Sequence, residues 1–464
     1  MKHLIALLIL AGSLASAAIE AREPFASSYT PRVAEDVVFR GASVLTGTGE
    51  PVATTDIRLS GGRIAAIGTD LPTTGARVVD AAGLWLTPGI IDVHSHLGDY
   101  PSPAIQATRD GNEATDPNTA QVWAEHSVWP QDPQFPLALA GGVTTLQILP
   151  GSANLFGGRG VTLKNVPSRT VQGMKFPGAK QALKMACGEN PKRVYDSQKK
   201  APSTRMGNIA GVRAAWAQAH HVMQERERAA AAAANEDIAA AAATPGVPPP
   251  APPAPDLAMD TLIGVLKGEI LVHNHCYRAD EMALMMDIAR EFDYKITAFH
   301  HAVESYKIAD LLAEAEICSA MWADWWGFKL EAFDGIDENI ALVDAAGACA
   351  IVHSDSPVGI QRLNQEAAKA MAAAQRQGMT VTEADAIVWI TLNAARALGI
   401  DAETGSLEIG KAADVVLWDG NPFSVYSRAQ QVYIDGYRYY DRNDPDRQPR
   451  TDFDLRQTVN GGAL

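Results

Sequence analysis

Histidines and carboxylates gather at a few points of this chain. His94 and His96 stand one residue apart in GIIDVHSH, and His273 and His275 repeat that spacing in EILVHNH. His300 and His301 are adjacent in KITAFHH, and His353 precedes Asp355 by two in ACAIVHSD. Each group closes a short apolar run of the kind that forms a strand buried on both faces. Residues i and i+2 of a strand point to the same side, so His94 and His96 project together from a strand end. Seven of the eleven histidines fall in these four places. A single buried histidine is ordinarily a satisfied core residue; several that converge with carboxylates on one rim are a donor set. Imidazole and carboxylate together suit zinc or another divalent first-row metal.

The elements that must hold these groups follow from the pattern between them. Eight apolar runs are strand candidates: GIIDVHSH, VTTLQILPG, GVTLKNV, ALKMACGE, EILVHNH, KITAFHH, ICSAMWA and ACAIVHSD. Helical stretches such as ADEMALMMDIAREF and YKIADLLAEAE separate most of them. Repeated βα units make a parallel sheet, and eight of them predict an α/β fold with a (β/α)8 TIM-like barrel over 86–403. The polar groups then lie at the C-terminal strand ends, where barrel active sites are built. Short glycine-punctuated strands in 38–85, and again in 404–442, predict one small β-domain made from both ends of the chain. The alanine-rich and then proline-rich segment 225–255 reads as an exposed, partly mobile insertion without chemistry of its own.

Bulk properties narrow the function. The chain has 464 residues and a formal charge of −15, from 39 Lys+Arg against 54 Asp+Glu. That balance argues against nucleic-acid binding, which wants a basic face. Residues 1–17 have the form of an export signal, with Lys2, an apolar stretch from Leu4 to Ala11, and Ala15-Ser16-Ala17 before the cut. The apolar stretch is too short to span a bilayer. The expectation is therefore a periplasmic or secreted protein with no stable membrane anchor after signal removal. Cys187, Cys276, Cys318 and Cys349 are few and widely spaced, and are expected as buried small hydrophobes, not a disulfide framework. No phosphate-binding loop and no Gly-x-Ser-x-Gly elbow is present, which disfavours a serine hydrolase.

PGIIDVHSH, the later strand-end histidine pair, HSDSP, and NAARALGIDAETGSLEIGKAADVVLWDGNPF together resemble the amidohydrolase superfamily. The closest branch is that of imidazolonepropionase-like and dipeptidase-like hydrolases, and the likeness spans the mature chain apart from the insertion. It implies a metal-dependent barrel with a flanking β-sandwich that hydrolyses a C–N bond in a small amide, cyclic amide or dipeptide-like substrate. It implies one or two divalent metals, zinc first among them. Carried onto this sequence, His94 and His96 bind the more buried metal, His273 is the fifth-strand ligand, His301 rather than His300 the sixth-strand ligand, and Asp355 the last. Asp355 is also the general base and acid. Relatives bridge two metals with a carboxylated lysine or a glutamate, and the candidates here are Lys184 and Glu189. These are five apart and so on opposite faces of a regular strand; Glu189, nearer the C-terminal end, is preferred. His275 either orients a substrate carbonyl or hydrogen-bonds a group beside the ligands. His353 is placed beside the ligands, and His300 on the outward face. Arg159, Arg205 and Trp325 are candidate substrate contacts. A homo-oligomer is compatible with the sequence. The rival readings are a deaminase on the same barrel and a non-catalytic exported binding protein.

Overall fold

The computed structural model describes residues 25–234 and 255–449. The proposed leader, 1–17, and residues 235–254 of the insertion lie outside them. The first segment forms β1 (Val37–Val44), β2 (Ala53–Ser60), β3 (Arg63–Gly68), β4 (Arg77–Asp80) and β5 (Trp85–Pro88). Eight barrel strands follow: β6 (Ile90–Ser95), β7 (Val143–Ile148), β8 (Phe156–Lys164), β9 (Ala182–Ala186), β10 (Leu271–His275), β11 (Ala298–His300), β12 (Cys318–Met321) and β13 (Ala350–Val352). The chain closes with β14 (Val415–Trp418), β15 (Ala429–Ile434) and β16 (Tyr437–Asp441).

The two chain ends share a sheet of order β16-β15-β14-β5-β1-β2-β3, with β4 also on β1. The joint between the ends is β5 against β14, antiparallel, with Leu86 opposite Leu417 and Trp85 opposite Trp418. Val37, Phe39, Ile57, Leu59, Leu86, Leu417 and Tyr433 form its buried core. Burying such side chains stabilises by roughly 1.5–3 kcal/mol each, and both end segments contribute to this one core.

The barrel sheet runs β13-β12-β11-β10-β9-β8-β7-β6. All eight expected runs are strands, but β8 is antiparallel to both neighbours. Only residues 149–155 separate β7 from β8. A parallel crossover needs a dozen or more residues, so this link can only turn the chain back. Among the described residues no ladder joins β13 to β6. That seam is bridged by the Asp355 amide on the His94 carbonyl, 3.0 Å, and by Ser354, whose amide and hydroxyl both donate to buried Asp92.

Helices cover the outside: α1 (Gln134–Ala140), α2 (Glu189–Ser197), α3 (Arg205–Ala234), α4 (Leu257–Leu266), α5 (Ala279–Glu291), α6 (Ala309–Glu314), α7 (Asn339–Ala345), α8 (Leu363–Arg376), α9 (Glu383–Trp389) and α10 (Leu392–Leu398). In α5 the buried Met282, Met285, Met286 and Ala289 recur at helical spacing, with Asp280 and Glu281 in the first turn and Arg290 in the last. α10 plugs the barrel floor: Ala394, Ala397 and Leu398 pack with Ile91, Val93, Ala298, Ala320 and Ile351 from the strands.

The cysteines depart from expectation. Cys187–Cys276 and Cys318–Cys349 are disulfides, and no free cysteine occurs. Their spacing of 89 and 31 residues hides the pairing. Neighbouring strands bring the Cα atoms to 5.2 and 4.4 Å, the range a disulfide requires. The first staples β9 to β10 at the rim; the second joins β12 to the residue before β13 at the floor.

Candidate metal centre

His94, His96 and Asp355 meet where the seam closes. Asp355 Oδ1 lies 3.6 Å from His94 Nε2 and 3.2 Å from His96 Nε2. Two ligands of a tetrahedral zinc, each at 2.0–2.1 Å, stand about 3.3 Å apart. The donor atoms therefore already have ligand spacing. The other ring nitrogen of each histidine is occupied: His96 Nδ1 lies 2.8 Å from the Leu149 carbonyl, and His94 Nδ1 2.8 Å from His300 Nδ1. A partner on Nδ1 aims Nε2 and fixes its lone pair for a metal.

On the other side of Asp355, Oδ2 lies 3.8 Å from His301 Nε2, and His301 Nδ1 is 2.8 Å from His353 Nε2. The His275 ring sits 4.7 Å from that of His301, with its Nδ1 buried and without a hydrogen-bond partner. A buried imidazole nitrogen without a partner, on a ring beside this cluster, suits a metal. His94, His275, His300 and His301 are all held neutral, their pKa values pushed well below the ordinary range by burial.

His94, His300 and His353 also approach one another. The His94 and His300 nitrogens, at 2.8 Å, are closer than two ligands of one zinc and form a hydrogen bond instead.

Several expected roles change. His273 lies one layer below the rim. Its Nδ1 is 2.8 Å from His300 Nε2 and its Nε2 3.0 Å from the Ala397 carbonyl, so neither nitrogen is free for a metal. His275, two residues nearer the strand end, is the one whose ring lies beside His301. His300 points into the barrel, not outward. Both adjacent histidines face inward because His301 leaves the strand with φ +58°, which breaks the alternation. Asp355 has φ +46°. Left-handed backbone at non-glycine residues is costly and collects at functional sites.

Glu189 is not at the cluster. Gly188, with φ +79°, turns the chain away from the barrel, and Glu189 opens α2. Its amide donates to Glu331 at 2.6 Å, and its carboxylate lies 3.9 Å from Lys329 Nζ. Lys184 is inside. It pairs in register with His273, faces Gly158 of β8, and sends Nζ up to the Pro150 carbonyl at 2.9 Å. Complete burial brings its pKa down to about 7, and its charge helps to keep His94, His273, His275, His300, His301 and His353 neutral. A long side chain starting mid-strand reaches the rim that its Cα does not.

The expected substrate contacts separate. Trp325 is 41% exposed and stacks on Trp322 at 4.7 Å, and Trp322 stacks on His301 at 4.3 Å. Tyr277 and Phe328 complete this aromatic wall. Arg159 faces away from the barrel interior. It binds Thr261 and Gln181, lies over Trp123, and lines a separate cavity of about 440 Å³. Arg205 is engaged by Asp280 and Glu281. Trp322 belongs to the WADWW tryptophan cluster already visible in the sequence; Tyr277 and Asn190, whose Nδ2 is 3.4 Å from His275 Nε2, are the neighbours that the sequence did not single out.

The Amidohydrolase family model matches residues 85–449. Amidohydrolase tasK of Hapsidospora irregularis is 32% identical over 433 residues, covering 86% of this chain and 43% of that protein. Allantoinase of Enterococcus faecalis is 44% identical over 64 residues, 14% of this chain and 13% of that enzyme. The chain thus spans less than half the length of these curated relatives. A solved amidohydrolase from Thermotoga maritima MSB8 is 34% identical, with a TM-score of 0.78 over 88% of this chain and 100% of that one. An adenosine deaminase from Xanthomonas campestris with bound zinc shares the fold, with a TM-score of 0.52 at 16% identity over 88% of this chain and 94% of that one.

Proposed function

Because the chain belongs to the amidohydrolase family, and is on that ground a hydrolase, we propose that it is an exported metal-dependent enzyme cleaving a C–N bond in a small amide, cyclic amide or dipeptide-like substrate. One observation carries the metal reading: Nε2 of His94, His96 and His301 all face the Asp355 carboxylate, while each Nδ1 has a partner behind it. His94, His96 and Asp355 would hold one divalent ion, zinc first, and His275 with His301 a second.

A divalent metal, when bound there, lowers the pKa of water toward about 7 and polarises a carbonyl. Asp355 takes the proton from the attacking water as the C–O bond forms. It returns that proton to the departing nitrogen as the C–N bond breaks. Trp322 and Trp325 wall one side and favour a flat apolar group beside the scissile bond. Lys184, its pKa brought down to about 7 by burial, supports the bridging role: its amine would add to carbon dioxide with loss of a proton, and the resulting carbamate would offer two oxygens to the metals. Two disulfides fit an oxidising compartment and support export.

Elemental analysis paired with a panel of amides, cyclic amides and dipeptides, scored for amine and for ammonia release, tests this reading. The expected result is one or two divalent metals per chain with amine or carboxylate release. Ammonia release alone would make the protein a deaminase, and absence of both metal and turnover would refute the proposal.

A further inference from the structure

Three buried histidines stand in line beneath the metal centre, and one helix end sets their direction. The line begins at Ala397, in the last turn of α10. Carbonyls of a final helical turn have no intrahelical partner, and the Ala397 oxygen meets His273 Nε2 at 3.0 Å. A carbonyl only accepts, so His273 carries its proton on Nε2. Neutral imidazole has one N–H, so His273 Nδ1 is a lone pair. His300 Nε2, 2.8 Å away, must donate to it. His300 Nδ1 is then a lone pair, and His94 Nδ1, 2.8 Å beyond, must donate in turn. The last lone pair is left on His94 Nε2, which faces His96 and Asp355. All three rings are fully buried, where a charged imidazole is costly, and with one proton on each ring this is the single order of donors that satisfies the carbonyl at its end.

We propose that His300 and His273 are positioning residues that lock His94 in its metal-binding tautomer, the order being imposed from the Ala397 carbonyl through three hydrogen bonds. This rests on His94 being a metal ligand, as argued above. His96 receives the same service from the Leu149 carbonyl in one step. His94, buried deeper, meets His300 instead, and two imidazoles link it to the carbonyl. Without His300, Nδ1 of His94 loses its acceptor, and the tautomer with the proton on Nε2, which blocks the metal, becomes accessible.

The test is metal affinity of the full chain, stripped and then titrated with zinc against a chromophoric chelator. Outer partners of metal-bound histidines are worth about 10–100-fold in affinity, so His300→Leu should weaken zinc binding by that factor. His300→Gln keeps one acceptor and one donor, and should restore affinity to within about threefold of the unmodified protein. His273→Leu leaves the His300–His94 bond but removes its direction, and should give an intermediate loss; it serves as the readout if His300→Leu does not fold. Equal zinc affinity in His300→Leu and unmodified protein overturns the inference while leaving the metal centre intact. Equal weakness in His300→Gln and His300→Leu also overturns it, because ring packing would then be the cause. An unmodified protein that binds no zinc overturns the metal reading itself.

Discussion

Breaking the two disulfides one at a time should separate a rim function from a floor function. The Cys187–Cys276 link closes a loop of 89 residues and Cys318–Cys349 one of 31. In the chain-entropy treatment these restrain the unfolded chain by about 4.6 and about 3.7 kcal/mol, respectively. The Cys187→Ala/Cys276→Ala variant should therefore lose roughly 1 kcal/mol more than Cys318→Ala/Cys349→Ala. The effect lies in the unfolded ensemble, so the urea m-value should rise in both variants as that ensemble expands. Cys276 follows His275 directly and Cys187 is three beyond Lys184, so only the rim variant should also lose metal. The assay is urea unfolding of metal-free protein by tryptophan fluorescence, with metal content measured separately. Unchanged midpoints and slopes would refute the entropic argument. Metal loss in the floor variant with none in the rim variant would refute the assignment of the staples.

Other consequences are as direct. Asp355→Asn removes the proton carrier and should cut turnover by about 10²–10⁴-fold with a smaller change in KM, measured by steady-state kinetics. Lys184→Met should lower a two-metal protein to one metal by elemental analysis, whereas Glu189→Gln should leave the count unchanged; the reverse result would return the bridge to Glu189. Burial pushes His273 and His353 down to about 4. The unfolded chain binds more protons than the fold between about 6.5 and 4, so the metal-free protein should lose stability as pH falls through that window, by about 3 kcal/mol for each histidine; a flat urea midpoint from pH 6.5 to 4 would contradict this. Deleting residues 229–254 and joining the ends with a flexible linker should leave metal content unchanged, because changing the length of a connecting segment alters its closure entropy little; insoluble protein would show that the segment packs on the barrel.

What the sequence revealed and what it hid follow one physical line. An apolar run that ends in polar residues is visible in one dimension, so all eight barrel strands and their chemical ends were legible. Orientation was not: the reversal of β8 depends on the short 149–155 link, a spacing easily read past among longer crossovers. Depth along a strand was also hidden: His273 lies one layer below the rim, and His275 is the one beside His301. Period-2 alternation put His300 outside because it cannot express the positive φ of His301. Lys184 was set aside on the position of its Cα, although its reach exceeds one strand residue. The cysteines paired across neighbouring strands, a proximity that exists only once the sheet has formed.

The unlatched edge between β6 and β13 gives the metal centre a second consequence. His94 lies on one side of that edge and Asp355 follows the strand on the other, held across it by single bonds and not by a ladder. An ion gripped by both would work as a clasp on a hoop. Loading should then slow amide hydrogen exchange along β6 and β13 well beyond the ligands themselves, and chelation should loosen the hoop at this line before any other.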